Sequence, residues 1–238
     1  MRPLKLLLLD LDDTLLDTSN LLAPVAHRGA VIAMMEAGLP GDLETLLQER
    51  LALSQTVAPD RLSRAQSESH NVYNVEVVAA GDRAYFDRDV PPIDLEAGVE
   101  EMLRRLHSDR QLVLVTSGVE KTQRQKVSRL KLEWLDGHFY APVGGSKVKA
   151  DAFRAALKAM PDIKPSEAVV IGDRLDSEIV AANQLGLWAV HVDRGEGRRR
   201  VSQGEVGRTD LSISGPLGIE QAVETLDKWL LDGRLPSR

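Results

Sequence analysis

The 238-residue sequence predicts an α/β fold, a doubly wound parallel sheet with a helical insertion after its first strand. Three observations carry that prediction. Short unbroken apolar runs recur along the chain. Segments with apolar residues at three- and four-residue spacing lie between them. One gap between runs is far longer than a single crossover helix needs.

The runs "LKLLLL" (4–9), "QLVLVT" (111–116), "AVVI" (168–171) and "LWAVHV" (187–192) lack alternation, as strands covered on both faces do. "HFYA" (138–141) and "LSIS" (211–214) are weaker members of the set. Residues 94–107 carry Leu95, Val99, Met102, Leu103 and Leu106 at helical spacing, and 151–160 carry Phe153, Ala156, Leu157 and Met160. Residues 217–231 repeat the pattern with Leu217, Ile219, Val223, Leu226, Leu230 and Leu231. Strand and helix in repetition give a Rossmann-like core with right-handed crossovers.

The exception to the rhythm lies between Asp10 and Gln111, about a hundred residues where a crossover needs about a dozen. Residues 20–37, 42–57 and 60–88 read as helices, with breaks at Gly38-Leu39-Pro40-Gly41 and Ala58-Pro59-Asp60. The chain returns at Val90-Pro91-Pro92. The expected units are therefore a core of residues 1–17 and 93–238 and a helical insertion of residues 18–92.

Composition narrows the function classes. Hydrophobic residues at 43% support a real core, and the net charge of -6 argues against nucleic acid as a partner. The basic run Arg198-Arg199-Arg200 reads as a solvated loop. The absence of cysteine excludes disulfides, thiolate catalysis and cysteine-metal sites. The first apolar run meets Asp10 after Leu6–Leu9, too short for a membrane span. A cytoplasmic monomer or homodimer with a small-molecule partner is the expectation.

In an open parallel sheet, ligands bind beyond the carboxyl ends of the strands. Those ends carry Asp10-Leu11-Asp12-Asp13-Thr14, Thr116-Ser117-Gly118 and Gly172-Asp173-Arg174-Leu175-Asp176-Ser177-Glu178. Asp10, Thr116 and Asp173 should therefore meet at one sheet edge. Repelling carboxylates are tolerated there if a cation neutralises them, and oxygen-only ligands point to a hard ion such as Mg²⁺.

The chemistry that fits is phosphoryl transfer through a covalent aspartyl phosphate. Asp10 would attack phosphorus. Asp12, on the same side of an extended backbone, would protonate the departing oxygen and later take a proton from water. Thr116, Ser117 and the turn at Gly118 would hold phosphate oxygens, and a lysine should complete the charge balance. His191, on an apolar strand, reads as a satisfied core residue.

These residues resemble the motifs of the haloacid dehalogenase superfamily. "DLDDT" looks like its first motif, "LVTSG" like its second, "GSKVKADAF" like its third and "VIGDRLDSEI" like its fourth. The resemblance implies that the insertion is a C1-type cap. It implies Mg²⁺ on the carboxylates of Asp10 and Asp173 and on the backbone carbonyl of Asp12. It assigns the third-motif lysine to Lys147, with Lys149 as the alternative, and the supporting acid to Glu178 or Asp176. An acid at position 12 favours phosphate-ester hydrolysis over carbon–halogen cleavage. The implied function is Mg²⁺-dependent hydrolysis of a small phosphomonoester: a sugar phosphate, phosphoglycolate or a nucleoside monophosphate. A phosphomutase and a non-catalytic binding protein are the rival readings.

Overall fold

The computed structural model describes residues 3–195 and 206–237, and the Arg198–Arg200 run lies outside them. Six parallel strands form one sheet: β1 (Leu6–Leu9), β2 (Gln111–Ser117), β3 (Gly137–Ala141), β4 (Ala168–Gly172), β5 (Trp188–Val192) and β6 (Leu211–Ile213). Their spatial order is β3-β2-β1-β4-β5-β6. From β1 the chain steps outward to β2 and β3, and from β4 it steps the other way to β5 and β6. The crevice between β1 and β4 is therefore the switch point, where an α/β sheet opens a ligand site.

Alternate residues of each strand enter opposite layers, as the strand period of two requires. Leu7 and Leu9 join Leu112, Leu114, Val169, Ile171 and Trp188 on one face. Helices α6 (Val99–His107) and α10 (Ile219–Leu231) cover that face through Met102, Leu103, Leu106, Val223 and Leu226. Leu6 and Leu8 join Val113, Val115, Ala168 and Val170 on the other. Helices α8 (Ser146–Ala159) and α9 (Val180–Leu185) cover it through Phe153, Ala156, Ala181 and Ala182. Apolar residues on both sheet faces explain why the strands read as unbroken runs.

The insertion folds into α1 (Thr18–Leu21), α2 (Ala23–Glu36), α3 (Leu43–Leu53), α4 (Pro59–Ser69) and α5 (Val75–Phe86). It has a small core of its own, with Val31, Met34, Leu46 and Val77 buried together. The expected single helix over 60–88 is two helices. Asn71 turns left-handed at φ 56°, and Asn74 then caps α5 by accepting a bond from the Glu76 N–H at 2.9 Å.

Helix α7 (Glu120–Arg129) ties the returning chain to the core. Thr122 Oγ1 donates to Phe86 O at 2.6 Å, and Val90 N donates to Gln125 Oε1 at 2.8 Å. The two connections also touch each other, since an Arg88 guanidinium N–H donates to Leu22 O at 2.8 Å.

Candidate active site

Asp10 follows β1 directly, and its N–H continues the ladder to Ile171 O at 2.9 Å. That bond places the first acid at the switch crevice, one step past the last β1–β4 pair, Leu9 with Ile171. Asp173 follows β4, whose strand ends at Gly172. His191 Nε2 on β5 donates to Asp173 O over 3.0 Å, so this core histidine steadies the turn that carries the acid. A wide turn over Leu175–Ile179 comes next, its Ile179 N–H reaching back to Arg174 O at 3.3 Å. It swings Glu178 back under the sheet edge. Gly172 allows that return, because a Cβ there would lie 2.7 Å from Glu178 Cγ.

The lysine at the centre is Lys149. Its Nζ lies 2.6 Å from Asp10 Oδ1, 2.8 Å from Glu178 Oε1 and 3.0 Å from Val115 O. Three acceptors use all three ammonium protons. Lys147, the residue expected here, is exposed on the outward side of α8 and does not line the cavity. Lys149 shares its face with Ala150, Phe153 and Ala156, all buried, and Lys147 does not. The i, i+4, i+7 spacing from Lys149 through Phe153 to Ala156 was the signal that selects it.

The same geometry separates the two candidate supporting acids. Glu178 is 3% exposed and pairs with Lys149. Asp176 is half-exposed, turns to Arg174 at 3.2 Å and does not line the cavity.

Asp10 and Glu178 share the Lys149 ammonium, and Asp173 is a third buried carboxyl group beside them. Burial pushes the Asp10 carboxyl up to about 7; Lys149 opposes that shift, and the Glu178 charge adds to it. Asp173 is raised well above the carboxylate range by burial, then by the charges of Glu178, Asp10 and Asp13. Burial works against the Lys149 cation, but Asp10 and Glu178 more than offset it and raise its pKa. The cluster is short of positive charge. Glu178 Oε2 is buried with no hydrogen-bond partner among the described residues. An oxygen-only donor set with excess negative charge suits a hard divalent cation. No group of three His, Cys, Asp or Glu side chains forms a ready cage among the described residues.

Thr116 and Ser117 end β2 across the crevice. Their Oγ atoms are also buried without partners among the described residues and line the same cavity. Unsatisfied buried hydroxyls are uncommon and mark places where a polar ligand completes the bonding. Gly118 serves differently from the expectation. Its N–H donates to Ala141 O at 2.9 Å, so it does not turn to the cavity. Its part is space: φ is 147°, and a Cβ would stand 2.6 Å from Gln123 Nε2.

That glutamine leads to a cluster the sequence did not reveal. Asp12 accepts from Lys126 Nζ at 2.6 Å on Oδ1 and from Gln123 Nε2 at 2.9 Å on Oδ2, and it also accepts from the Thr18 hydroxyl. Burial alone would raise the Asp12 carboxyl, but the Lys126 charge and these bonds lower it. Lys126 and Gln123 sit on α7 in a polar stretch that carries no motif, which is why sequence reasoning passed over them.

All these groups line one cavity of about 550 Å³. Asp10, Asp12, Thr116, Ser117, Gly118, Lys149, Asp173 and Glu178 form its floor. Ala23, Ala26, Pro59, Arg61, Tyr85 and Phe86 form a roof contributed by the helical insertion. Asn20, His27, Arg28, His70, Asn71, Tyr73 and Asn74, the polar residues that stand out in the insertion's sequence, do not line it.

Acids at a sheet switch point, facing a lysine and two hydroxyls under a helical roof, define a capped α/β hydrolase. The chain belongs to the haloacid dehalogenase-like hydrolases, whose family profile matches residues 4–186. A glyceraldehyde 3-phosphate phosphatase of Pyrococcus furiosus is 34% identical over 80% of this chain and 81% of its own length. A glyceraldehyde 3-phosphate phosphatase of Methanopyrus kandleri is 32% identical over 94% of this chain and 99% of its own length. The crystal structure of a haloacid dehalogenase-like family hydrolase from Xanthomonas campestris covers 98% of this chain and 100% of its own with a TM-score of 0.65. At 19% identity that last likeness speaks for the fold alone. The chain is an enzyme of the phosphatase branch.

Proposed function

We propose that the chain is a Mg²⁺-dependent phosphomonoesterase that works through a phosphoryl ester on Asp10, with a small sugar phosphate of triose size as substrate. The observation that carries the reading is the meeting of Asp10, Asp12, Thr116, Lys149 and Asp173 in one cavity. The triose assignment leans on the two glyceraldehyde 3-phosphate phosphatases.

In this reading the Asp10 and Asp173 carboxylates and the Asp12 carbonyl hold Mg²⁺, which when bound offsets the repulsion between Asp10 and a phosphate. Lys149 fixes the Asp10 carboxylate so that its free oxygen points to phosphorus. Thr116 and Ser117 hydroxyls hold the phosphoryl oxygens. An Asp10 oxygen bonds to phosphorus as the ester P–O bond breaks, and the departing alkoxide takes a proton from Asp12. Asp12 then removes a proton from water as that water attacks phosphorus and frees Asp10. The donors around Asp12 favour its carboxylate, the form this second half needs. An arriving substrate has to displace some of them before Asp12 can carry a proton for the first half.

The proposal also takes residues 18–92 as a cap over a core of 1–17 and 93–238. The roof residues on α2, α4 and α5 support that division, since closure would exclude bulk water from the phosphorylated Asp10.

The test is release of inorganic phosphate from glyceraldehyde 3-phosphate and a metabolite panel, with MgCl₂ and with EDTA. Stoichiometric phosphate that EDTA abolishes is the expected result. Transfer to a second sugar position without free phosphate would make the enzyme a mutase. No turnover of any ester would leave a binding protein.

A further inference from the structure

We infer that Lys126 reads the substrate: its ammonium takes an oxygen on the carbon next to the ester carbon. The site would then favour phosphate esters of vicinally oxygenated alcohols over simple alkyl phosphates. The inference rests on the phosphatase reading above and deepens it.

Two lysines enter the cavity from opposite sides, and they differ in what they have left to give. Lys149 donates to Asp10, Glu178 and a backbone carbonyl, so its three protons are spent. Lys126 reaches Asp12 at 2.6 Å and has no other side-chain partner among the described residues. Its side chain is 8% exposed, so the stem is packed and the ammonium is delivered to one place. Two of its protons are free for acceptors in the cavity it lines. A buried ammonium with unused protons is costly unless something accepts from it. Arg88, also in the cavity wall, already donates to Leu22 O. Gln123 shares its amide between Asp12 and Ser117 O. Arg174 pairs with Asp176, and Arg61 is exposed on the roof, so Lys126 is the buried cation beside Asp12 with capacity to spare.

Position decides what it reads. If Asp12 serves the ester oxygen, that oxygen lies within hydrogen-bond reach of the Asp12 carboxylate. Oxygens on adjacent carbons of a chain sit about one hydrogen-bond length apart when gauche. A donor already bonded to Asp12 therefore meets the neighbouring oxygen first. A 2-hydroxyl, a 2-oxo group or a hydrated aldehyde would each serve as acceptor, and a plain methylene would leave the ammonium unpaired. Sites built to bond a substrate hydroxyl reject the analogue that lacks it for this reason.

The experiment compares sn-glycerol 3-phosphate with 3-hydroxypropyl phosphate, which share a carbon skeleton and a terminal hydroxyl and differ only in the oxygen next to the ester carbon. The wild-type enzyme should prefer the first by about tenfold or more in kcat/KM, the worth of one bond to a charged group. In Lys126→Met both rates fall, the glycerol ester more, and the ratio collapses to within about threefold. Lys126→Arg, which keeps a cation, should retain part of the preference. A purely structural lysine that only holds Asp12 would cost both esters the same factor in kcat and leave the ratio intact, which overturns the inference. Should the variants turn over alkyl esters too slowly, the ratio is read from how each ester competes with 4-nitrophenyl phosphate, whose leaving group asks little of Asp12. A wild type that hydrolyses both esters equally sinks this inference alone. A wild type that hydrolyses no ester, aryl phosphate included, sinks the phosphatase reading with it.

Discussion

Two of the places where the molecule buries charge resolve it in opposite ways. In the helical insertion Arg50 is fully buried, with its guanidinium donating to Gln66 Oε1 at 3.1 Å and Ser63 Oγ at 3.4 Å. The Tyr85 ring lies 5.6 Å from it, and Gln66 passes the network on to Leu46 O at 2.7 Å. Burial lowers Arg50 to about 10, against the favourable influence of Tyr85 and Asp82. Neutral acceptors take its two terminal nitrogens, while its Nε is buried without a partner among the described residues. At the sheet edge Asp10 and Glu178 share one ammonium beside a third buried carboxyl, Asp173, and oxygens of Glu178, Thr116 and Ser117 without partners among the described residues open on a cavity. Both arrangements cost desolvation. What separates a structural ion from a reactive one here is setting: the insertion closes polar and aromatic groups around its cation away from the cavity, and the sheet edge opens its unpartnered oxygens on it.

The most direct way to break that contrast is Asp10→Asn. The amide keeps the volume and removes both the nucleophile and one excess charge. Turnover of any phosphate ester should fall at least about 10⁴-fold, and thermal stability should hold or rise. A folded variant within tenfold of wild type would show that Asp10 does not attack phosphorus.

The pH dependence of stability sharpens the same point. Asp10 ionises at 3.8 when unfolded and at about 7 in the fold. The unfolded chain therefore releases its proton first as pH rises. Stability is lost between those two values, and the full penalty stands above pH 7. A divalent cation takes the ionised form and relieves that penalty. Adding MgCl₂ should therefore raise the melting temperature more at pH 8 than at pH 5.5, where protons compete for the same oxygens. Thermal scans at the two pH values check this, and equal shifts would mean that the excess charge is not what the metal answers.

Lys149→Met should cost turnover about 10²-fold, the scale of losing one preorganised cation at the reacting group. It should also lower stability, because Asp10 and Glu178 would lose the cation they share. Lys147→Met, on the exposed side of the same helix, should stay within about twofold on both counts. Steady-state kinetics on the pair reads the difference, and a larger loss at position 147 would reverse the assignment.

This pair also shows how far the sequence can be read. Strands were legible because both sheet faces are covered, which turns β1, β2, β4 and β5 into unbroken apolar runs. Asp10, Thr116 and Asp173 were legible because a strand end is a place that chain order alone can locate. Lys149 was harder, since choosing it needs the helix face, and only the spacing to Phe153 and Ala156 reveals that. Lys126, Gln123 and the roof at Tyr85 and Phe86 were not legible. They meet Asp12 and the cavity through the packing of α7 and the insertion against the sheet, and tertiary packing leaves no local pattern. The single helix expected over 60–88 failed for a related reason, because a left-handed Asn71 inside a helix-permissive composition gives no apolar break.

The smallest expected effect on chemistry belongs to the other buried charge. Arg50→Ala removes a long buried side chain and leaves Gln66 Oε1 without its donor. The loss should be about 3 kcal/mol, combining a cavity with an unsatisfied acceptor. It falls within the insertion, where Tyr85 stacks near His27 at 5.1 Å and forms part of the cavity roof. A looser Tyr85 should raise KM several-fold. Asp10, Asp12 and Lys149, which carry the proposed chemistry, stand on other elements, so kcat should change by less than about threefold. Chemical denaturation with Michaelis kinetics on the same sample separates the two. Were kcat to fall as far as in Lys149→Met, the insertion's charge would belong to the reactive site, and its internal satisfaction by Gln66 and Ser63 would no longer explain why a cation is buried there.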